Sequence, residues 1–255
     1  MADERTLSPV DLILEKHIID ASIGTTATPY YHTLRAFEIK TLPLGSRILE
    51  VGSGGSDTVA HLLSAGYDAY ALDPKYGDLE KLSSDIEQFL GFLMQQLHRD
   101  PATIEARIRA ERQSLQVLRA SQKNQPDHYK AASSTEIPFP EGYFDFVFSQ
   151  RAITSILDAS RNLFLKSFEE CLRVTRPDGK VEVYPFLDPQ QRLRNSSLMS
   201  PEQIQGLELR QGNQQALLDM LNKSHITHSV VDINALGGDQ KKLVVTKGID
   251  TPKLF

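Results

Sequence analysis

The amino-acid sequence predicts an α/β fold built on a mostly parallel sheet, and three observations support this. A short apolar strand at residues 48–51 runs into a Gly-rich turn and a helix, and a second strand follows at residues 70–72. Strand and helix patterns go on alternating through the middle of the chain, as crossover connections between parallel strands require. Near the end, strand patterns at residues 226–233 and 242–247 follow each other without a helix, which predicts an antiparallel hairpin.

Composition limits the classes of protein and partner. The chain has 255 residues, 40% hydrophobic and 24% charged, which suits a single folded domain over residues 1–255. The formal net charge of −5 argues against a nucleic-acid partner, because phosphate binding needs a basic surface. One cysteine, Cys171, excludes an intramolecular disulfide. No apolar run reaches membrane-spanning length and no secretory apolar core follows the N-terminus, so we expect no membrane contact and a cytoplasmic location.

Residues 1–41 precede the first strand and are predicted to be mainly helical. Ser8 and Pro9 form a typical helix start, with Ser at the N-cap and Pro at the first helical position. His17 and His32 lack further ligand residues at the spacing that metal sites use, so we expect no metal here.

The Gly-rich turn at residues 52–55 and the acid that ends the second strand, Asp73, indicate a ligand with a ribose. Glycines let the backbone approach a ligand, and the helix that follows offers free N–H groups at its N-terminus. An acid at the tip of the second strand is placed to accept hydrogen bonds from ribose hydroxyls. A dinucleotide fingerprint would have a third Gly where this chain has Asp57, which argues against NAD.

A long helical pattern separates the second strand from the third. It covers residues 84–122, with a break and a restart at Asp100 and Pro101. Because a plain version of this fold needs only one helix here, we interpret the segment as a helical hairpin insertion. It could cap the substrate, form a dimer contact or bind a partner; alternatively it is a solvated helix pair packed on the sheet edge. Its mixed charges favour a solvated face over a nucleic-acid surface.

Three further strands are predicted at residues 128–132, 144–149 and 181–184. The link Ile137-Pro138-Phe139 lies between the third and fourth strands. The fourth strand opens with Phe144-Asp145-Phe146-Val147. Because Asp145 begins its strand and ligands bind where parallel strands end, we expect a structural role for this acid.

These motifs together resemble the class I S-adenosylmethionine-dependent methyltransferases. The matching features are Glu50-x-Gly52-x-Gly54, Asp73, the Ile137-Pro138-Phe139 link and the opening of the fourth strand. The chain departs from the family at Ser56, where Gly is frequent, and at Ser133, where many relatives place an acid that binds the adenine amino group. The resemblance implies a doubly wound, Rossmann-like, seven-stranded sheet with an antiparallel C-terminal hairpin and a helical insertion.

The resemblance also implies site residues. Those expected to contact the cofactor are Glu50, Gly52, Ser53, Gly54, Asp73, Pro74, Ser133, Ser134, Ser149 and Gln150. Residues 1–41 would form a helical lid, and the expected substrate contacts are Tyr30, Tyr31, Arg35 and Arg151. No general base is identified; the catalytic candidates are His32, Tyr31 and Gln150. Tyr30 and Tyr31 could instead simply pack two helices together.

The implied activity is methyl transfer from S-adenosylmethionine to a nucleophile, with S-adenosylhomocysteine as product and no metal. Three alternatives stay open: a small-molecule methyltransferase, a protein or RNA methyltransferase that docks through the insertion, and a non-catalytic interaction module with this fold. The acidic charge and the size favour a small-molecule acceptor. Residues 149–152 lack the Pro-Pro motif typical of enzymes that methylate amides or exocyclic base nitrogens. A homodimer through the insertion is a further expectation.

Overall fold

The computed structural model describes residues 30, 33, 36–96, 101–156, 161–186, 212, 214–224, 226–233 and 240–248. The strands are β1 (Arg47–Val51), β2 (Asp68–Leu72), β3 (Tyr129–Lys130), β4 (Phe144–Gln150), β5 (Thr175–Tyr184), β6 (Thr227–Ile233) and β7 (Gln240–Thr246). The helices are α1 (Thr58–Ser64), α2 (Leu79–Gln96), α3 (Pro101–Asn124), α4 (Ala152–Ile156) and α5 (Arg161–Val174). A further helix, α6, includes residues 214–223.

The strands form one seven-stranded sheet in the order β3-β2-β1-β4-β5-β7-β6. The first five strands of the chain pair in parallel, whereas β7 runs antiparallel to both β5 and β6. The predicted α/β sheet with an antiparallel C-terminal hairpin is therefore confirmed. The carboxyl ends of β2, β1 and β4 lie side by side near the centre of the sheet, where ligands bind in open parallel sheets.

Two strands differ from their predicted bounds. β3 has two residues and not five, because His128 ends a short 3-10 helix and its ring Nδ1 lies 2.9 Å from the Ala69 carbonyl oxygen. β5 begins at Thr175 and not at residue 181, and its pairing with β4 is irregular between Thr175 and Lys180. Asp178 adopts a positive φ of 63° there.

Each face of the sheet buries its own apolar cluster. One face carries Ile48, Ala69, Phe146 and Phe148, which pack with residues of α1, α2 and α3. The other face carries Leu49, Val51, Val147 and Val181, which pack with α5 and α6. Strands that are buried on both faces lack the alternation of apolar and polar residues seen in half-exposed strands. This explains the mainly apolar sequences of β1 and β4.

The helical insertion is α2 and α3, and it extends from Leu79 to Asn124 where we predicted residues 84–122. Its apolar face is part of the core: Leu82, Ile86, Leu115 and Leu118 are all buried in the cluster that contains β1. On the outside, Arg112 donates two hydrogen bonds of 2.8 and 2.6 Å to the Glu87 carboxylate, which joins the two helices. The helix pair is therefore packed on the sheet, and its role as a cap, a dimer contact or a partner-binding arm stays a prediction.

A buried ion pair joins β5 to β7. Lys242 Nζ lies 2.8 Å from Glu182 Oε2, and both side chains are almost fully buried. Burial raises the pKa of Glu182, and the adjacent Lys242 ammonium opposes that shift. Glu182 Oε1 has no hydrogen-bond partner among the described residues, so the carboxylate depends on this one lysine.

We predict that Lys242→Met lowers the free energy of unfolding by about 3–5 kcal/mol, because it leaves the Glu182 carboxyl buried without its cation. Urea unfolding measures the loss. The matched control is the double variant Glu182→Leu/Lys242→Met, which removes both charges and should recover most of the stability. A single variant as stable as the wild type, or a double variant less stable than the single one, would contradict the assignment.

Candidate active site

The turn after β1 takes its shape from two glycines with positive φ. Gly52 has φ 70° and Gly54 has φ 52°, conformations that other residues rarely adopt. The Gly52 N–H donates to the Leu72 carbonyl oxygen at 2.7 Å, which fixes the turn against the end of β2. A methyl group on Gly52 would collide with Cβ of Ala152, so this position has no room for a side chain.

Asp73 follows β2 and is held by the backbone of the same turn. Its Oδ2 accepts a 3.0 Å hydrogen bond from the Gly54 N–H, and its Oδ1 accepts a 2.8 Å bond from the Lys75 N–H. Burial raises the pKa of Asp73, while these two N–H groups oppose the shift. Each carboxylate oxygen has two lone pairs, so one on each oxygen is left for a further donor.

Glu50, the first acid of the predicted motif, is buried directly behind the turn. Burial raises its pKa to about 8; the neighbouring Asp57 and Asp73 carboxylates add to this shift, and the Ser56 hydroxyl opposes it. Glu50 Oε2 has no hydrogen-bond partner among the described residues. Three acids therefore converge behind one turn, and a cation close to the turn would be stabilised by them.

Below the turn, the Ser53 and Tyr76 hydroxyls hydrogen-bond to each other in a buried position. Burial and the nearby Glu50 raise the pKa of Tyr76 well above its usual value, so this phenol stays neutral. Sequence reasoning did not identify Tyr76. It belongs to the short 3-10 helix Pro74–Gly77, and its partner lies 23 residues earlier, so no local pattern indicates the contact.

At the end of β4, Ser149 and Gln150 are both engaged within the protein. The Ser149 hydroxyl donates to the Val51 carbonyl oxygen at 3.0 Å and accepts from the Ile153 N–H at 3.1 Å. It thus ties β4 to β1 and supports the start of α4. Gln150 is buried, and its Oε1 accepts a 2.9 Å bond from Thr33. Direct contact of Ser149 and Gln150 with a cofactor stays a prediction.

Tyr30 and Thr33, two described residues that precede β1, contact residues around this site. The Tyr30 N–H donates to Asp57 Oδ1 at 2.7 Å, and the Tyr30 ring stacks on His61 at a centroid distance of 4.8 Å. Thr33 is fully buried, and its hydroxyl bonds both Thr58 and Gln150, each at 2.9 Å. These two residues therefore contact the turn, α1 and the end of β4.

The other predicted residues are less closely tied to the turn. Ser133 is exposed and its hydroxyl bonds Thr135 at 2.9 Å, whereas the Ser134 hydroxyl bonds Ser167 of α5 at 2.8 Å. Pro74 is exposed next to Asp73. Arg151 is half-buried, with a positive φ of 67°. The predicted substrate and catalytic candidates Tyr31, His32 and Arg35 lie outside the described residues.

Among the described residues, no group of three or more His, Cys, Asp or Glu side chains is arranged to hold a metal ion. None of the described helices combines the length and apolar character that crossing a membrane requires.

A family model described as a methyltransferase domain matches residues 49–183, just over half of the chain. The match includes the Gly-rich turn, Asp73, the Ile137-Pro138-Phe139 link and β4. The chain therefore belongs to this methyltransferase family, and the class I S-adenosylmethionine-dependent assignment expected from the motifs is confirmed.

Several solved structures are similar to this chain. An S-adenosylmethionine-dependent methyltransferase from Methanosarcina mazei is 13% identical, with a TM-score of 0.45 and coverage of 84% of this chain and 99% of that one. One from Aquifex aeolicus is 14% identical, with a TM-score of 0.42 and coverage of 94% and 98%. A protein from Pyrococcus horikoshii is 15% identical, with a TM-score of 0.48 and coverage of 86% and 91%. Among curated proteins, none matches the chain.

We predict that Glu50 makes the stability of the protein depend on pH. The unfolded carboxyl ionises near 4.5 whereas the folded one keeps its proton up to a pKa of about 8. The folded state thus binds more protons between these values, so the free energy of unfolding falls as pH rises, by at most about 1.4 kcal/mol per pH unit.

The prediction is tested by urea unfolding of Glu50→Gln between pH 5 and pH 8. This substitution replaces the titratable carboxyl by a carboxamide of nearly the same shape. The variant should lose less stability over that range than the wild type. Glu136→Gln, at an exposed loop position, is the matched control and should follow the wild type. Parallel curves for the wild type and Glu50→Gln would contradict the prediction.

Proposed function

We propose that this chain binds S-adenosylmethionine at the Gly-rich turn and transfers its methyl group to a small-molecule acceptor. The observation that carries the proposal is the Asp73 carboxylate, which the Gly54 and Lys75 N–H groups hold in a fixed orientation at the end of β2. A carboxylate oriented in this way is suited to accept hydrogen bonds from two neighbouring ribose hydroxyls.

The residues around the turn fit this cofactor in charge and in shape. S-adenosylmethionine carries a sulfonium and an ammonium group, and the turn is backed by Glu50, Asp57 and Asp73. Glu50 has a buried oxygen without a partner among the described residues, and Gly52 holds the turn in a backbone conformation, φ 70°, that other residues rarely adopt. When bound, the cofactor supplies a methyl group that its sulfonium already activates for in-line displacement.

The protein's contribution to such a reaction is alignment and exclusion of water. Thr33, which lies in the sequence before β1, bridges Thr58 of α1 and Gln150 at the end of β4. We propose that the segment before β1, residues 1–41, acts as the lid and that Gln150 positions it. A carboxamide does not take up a proton at neutral pH, so His32 and Tyr31 remain the proposed candidates for a general base.

A small acceptor is favoured over a protein or an RNA. The insertion, which would be the docking arm for a macromolecule, uses its apolar face for the protein's own core. Its outer face carries internal ion pairs such as Arg112 with Glu87. The net charge of −5 also disfavours a polyanionic acceptor.

We predict that Asp73→Ala weakens S-adenosylmethionine binding by about 1–3 kcal/mol, roughly 5- to 150-fold, because two charge-assisted hydrogen bonds are lost. Isothermal titration calorimetry measures the affinity. Asp68→Asn is the matched control, since Asp68 lies at the opposite end of the same strand and pairs with Arg47. Unchanged affinity in Asp73→Ala, with a cooperative thermal transition kept, would refute the ribose assignment.

The acceptor class is tested by incubating the protein with cell extract and S-adenosylmethionine labelled at the methyl group. The extract is separated into small molecules, RNA and protein before the label is counted. We expect the label in the small-molecule fraction. The negative control is Gly52→Ala, which should transfer no label. Label found mainly in RNA or protein would contradict the small-molecule proposal.

A further inference from the structure

β6 forms one edge of the sheet, and its outer side is exposed. Within the described residues it pairs with β7 alone, over all seven positions from Thr227 to Ile233. Val230 and Val231, on opposite faces of the strand, are 41% and 37% exposed. Natural proteins protect such an edge with Lys, Pro or a bulge, and β6 has none of these.

The sequence of β6 is complementary to itself in one antiparallel register. A two-fold axis at Val230 would place His228 of one copy opposite Asp232 of the other, and the symmetry makes this pair twice. The same register places Thr227 opposite Ile233, and the two Val230 residues opposite each other. Residues 228, 230 and 232 share one strand face, so the two His–Asp pairs would flank a Val–Val contact on the same side.

The side chains involved are available for such pairing. Asp232 is 66% exposed and lies 3.8 Å from Lys241 on β7, so its carboxylate has an open side away from its own sheet. His228 Nδ1 lies 2.9 Å from the Ile226 carbonyl oxygen and needs a proton to donate there, so Nε2 can donate to a carboxylate when the ring carries both protons. An unpaired Asp on an edge strand discourages pairing, whereas an Asp that meets a His specifies the register.

We propose that β6 pairs antiparallel with β6 of a second copy of this chain, centred on Val230, and that the two sheets join into one continuous sheet. The contact is isologous, because each copy uses the same strand, and it closes as a dimer. The opposite edge strand, β3, has only two residues and offers no comparable ladder. This dimer leaves the insertion free of subunit contacts and is independent of the methyltransferase activity.

The register is tested by cross-linking with Val230→Cys under oxidised glutathione, which takes up the two thiol electrons as the disulfide forms. Across the axis, the two residues at position 230 would have Cα atoms about 4.5 or 5.5 Å apart, within the range a disulfide needs. Val231→Cys is the matched control, since its two copies would lie about 8 Å apart and be too distant to bridge. Cys171, the natural cysteine, is fully buried.

We expect Val230→Cys to give a covalent dimer and Val231→Cys to stay uncross-linked. Equal cross-linking of both variants, or of Val231→Cys alone, would overturn the proposed register.

Sedimentation of the full chain without cysteine substitutions tests the dimer itself. The wild type should show a concentration-dependent monomer–dimer equilibrium, and Val230→Lys should weaken it at least tenfold because two like charges would meet on the axis. Leu44→Lys is the control, since Leu44 lies outside β6, is 74% exposed, and should leave the equilibrium unchanged when it is replaced. A wild type that is monomeric at all concentrations, or a dimer that Val230→Lys does not weaken, would overturn the proposal.

Discussion

The hydrogen bonds from two backbone N–H groups to the Asp73 carboxylate are the interaction on which the site depends. They connect the turn after β1, through Gly54, to the first residues after β2, through Lys75. The Lys75 ammonium lies 2.7 Å from Asp85, and its charge also favours the ionised form of Asp73. The geometry requires positive φ at Gly52 and Gly54, and the packing of Ala152 allows no side chain at Gly52. The carboxylate is therefore placed by the backbone of two strands and can be rigid before a ligand arrives.

The charge around the turn follows from this arrangement. Burial and the neighbouring Asp57 and Asp73 carboxylates together raise the pKa of Glu50 to about 8. The sequence thus keeps a buried acid that is unfavourable for stability near neutral pH. Such a cluster is the electrostatic complement of a cationic ligand. A bound cation would favour the ionised form of Glu50, so we expect ligand binding to release a proton.

Spacing in the sequence predicted the elements that are local in the chain. The strand, the Gly-rich turn and Asp73 fall within 27 residues, and a strand was predicted for each of the seven that the structure contains. Contacts between distant segments were not predictable: Thr33 with Gln150 and Ser53 with Tyr76 join residues 117 and 23 positions apart. The two-residue length of β3 was not predicted, because the strand begins only after His128, whose ring lies against the Ala69 carbonyl oxygen. The position of Ser149 in the motif suggested a contact with a ligand. In the structure its hydroxyl instead bonds the backbone of Val51 and Ile153 and so joins β4 to β1 and α4.

The central claim is that the turn and Asp73 form a site for S-adenosylmethionine and not for a dinucleotide. The most direct test is calorimetric titration of the unmodified chain with S-adenosylmethionine, S-adenosylhomocysteine and NAD in separate experiments. We expect saturable binding of one molecule of either adenosyl ligand per chain, and no binding of NAD, since Asp57 stands where a dinucleotide site needs Gly. Absence of heat with S-adenosylmethionine at millimolar concentration, or saturable binding of NAD, would contradict this claim.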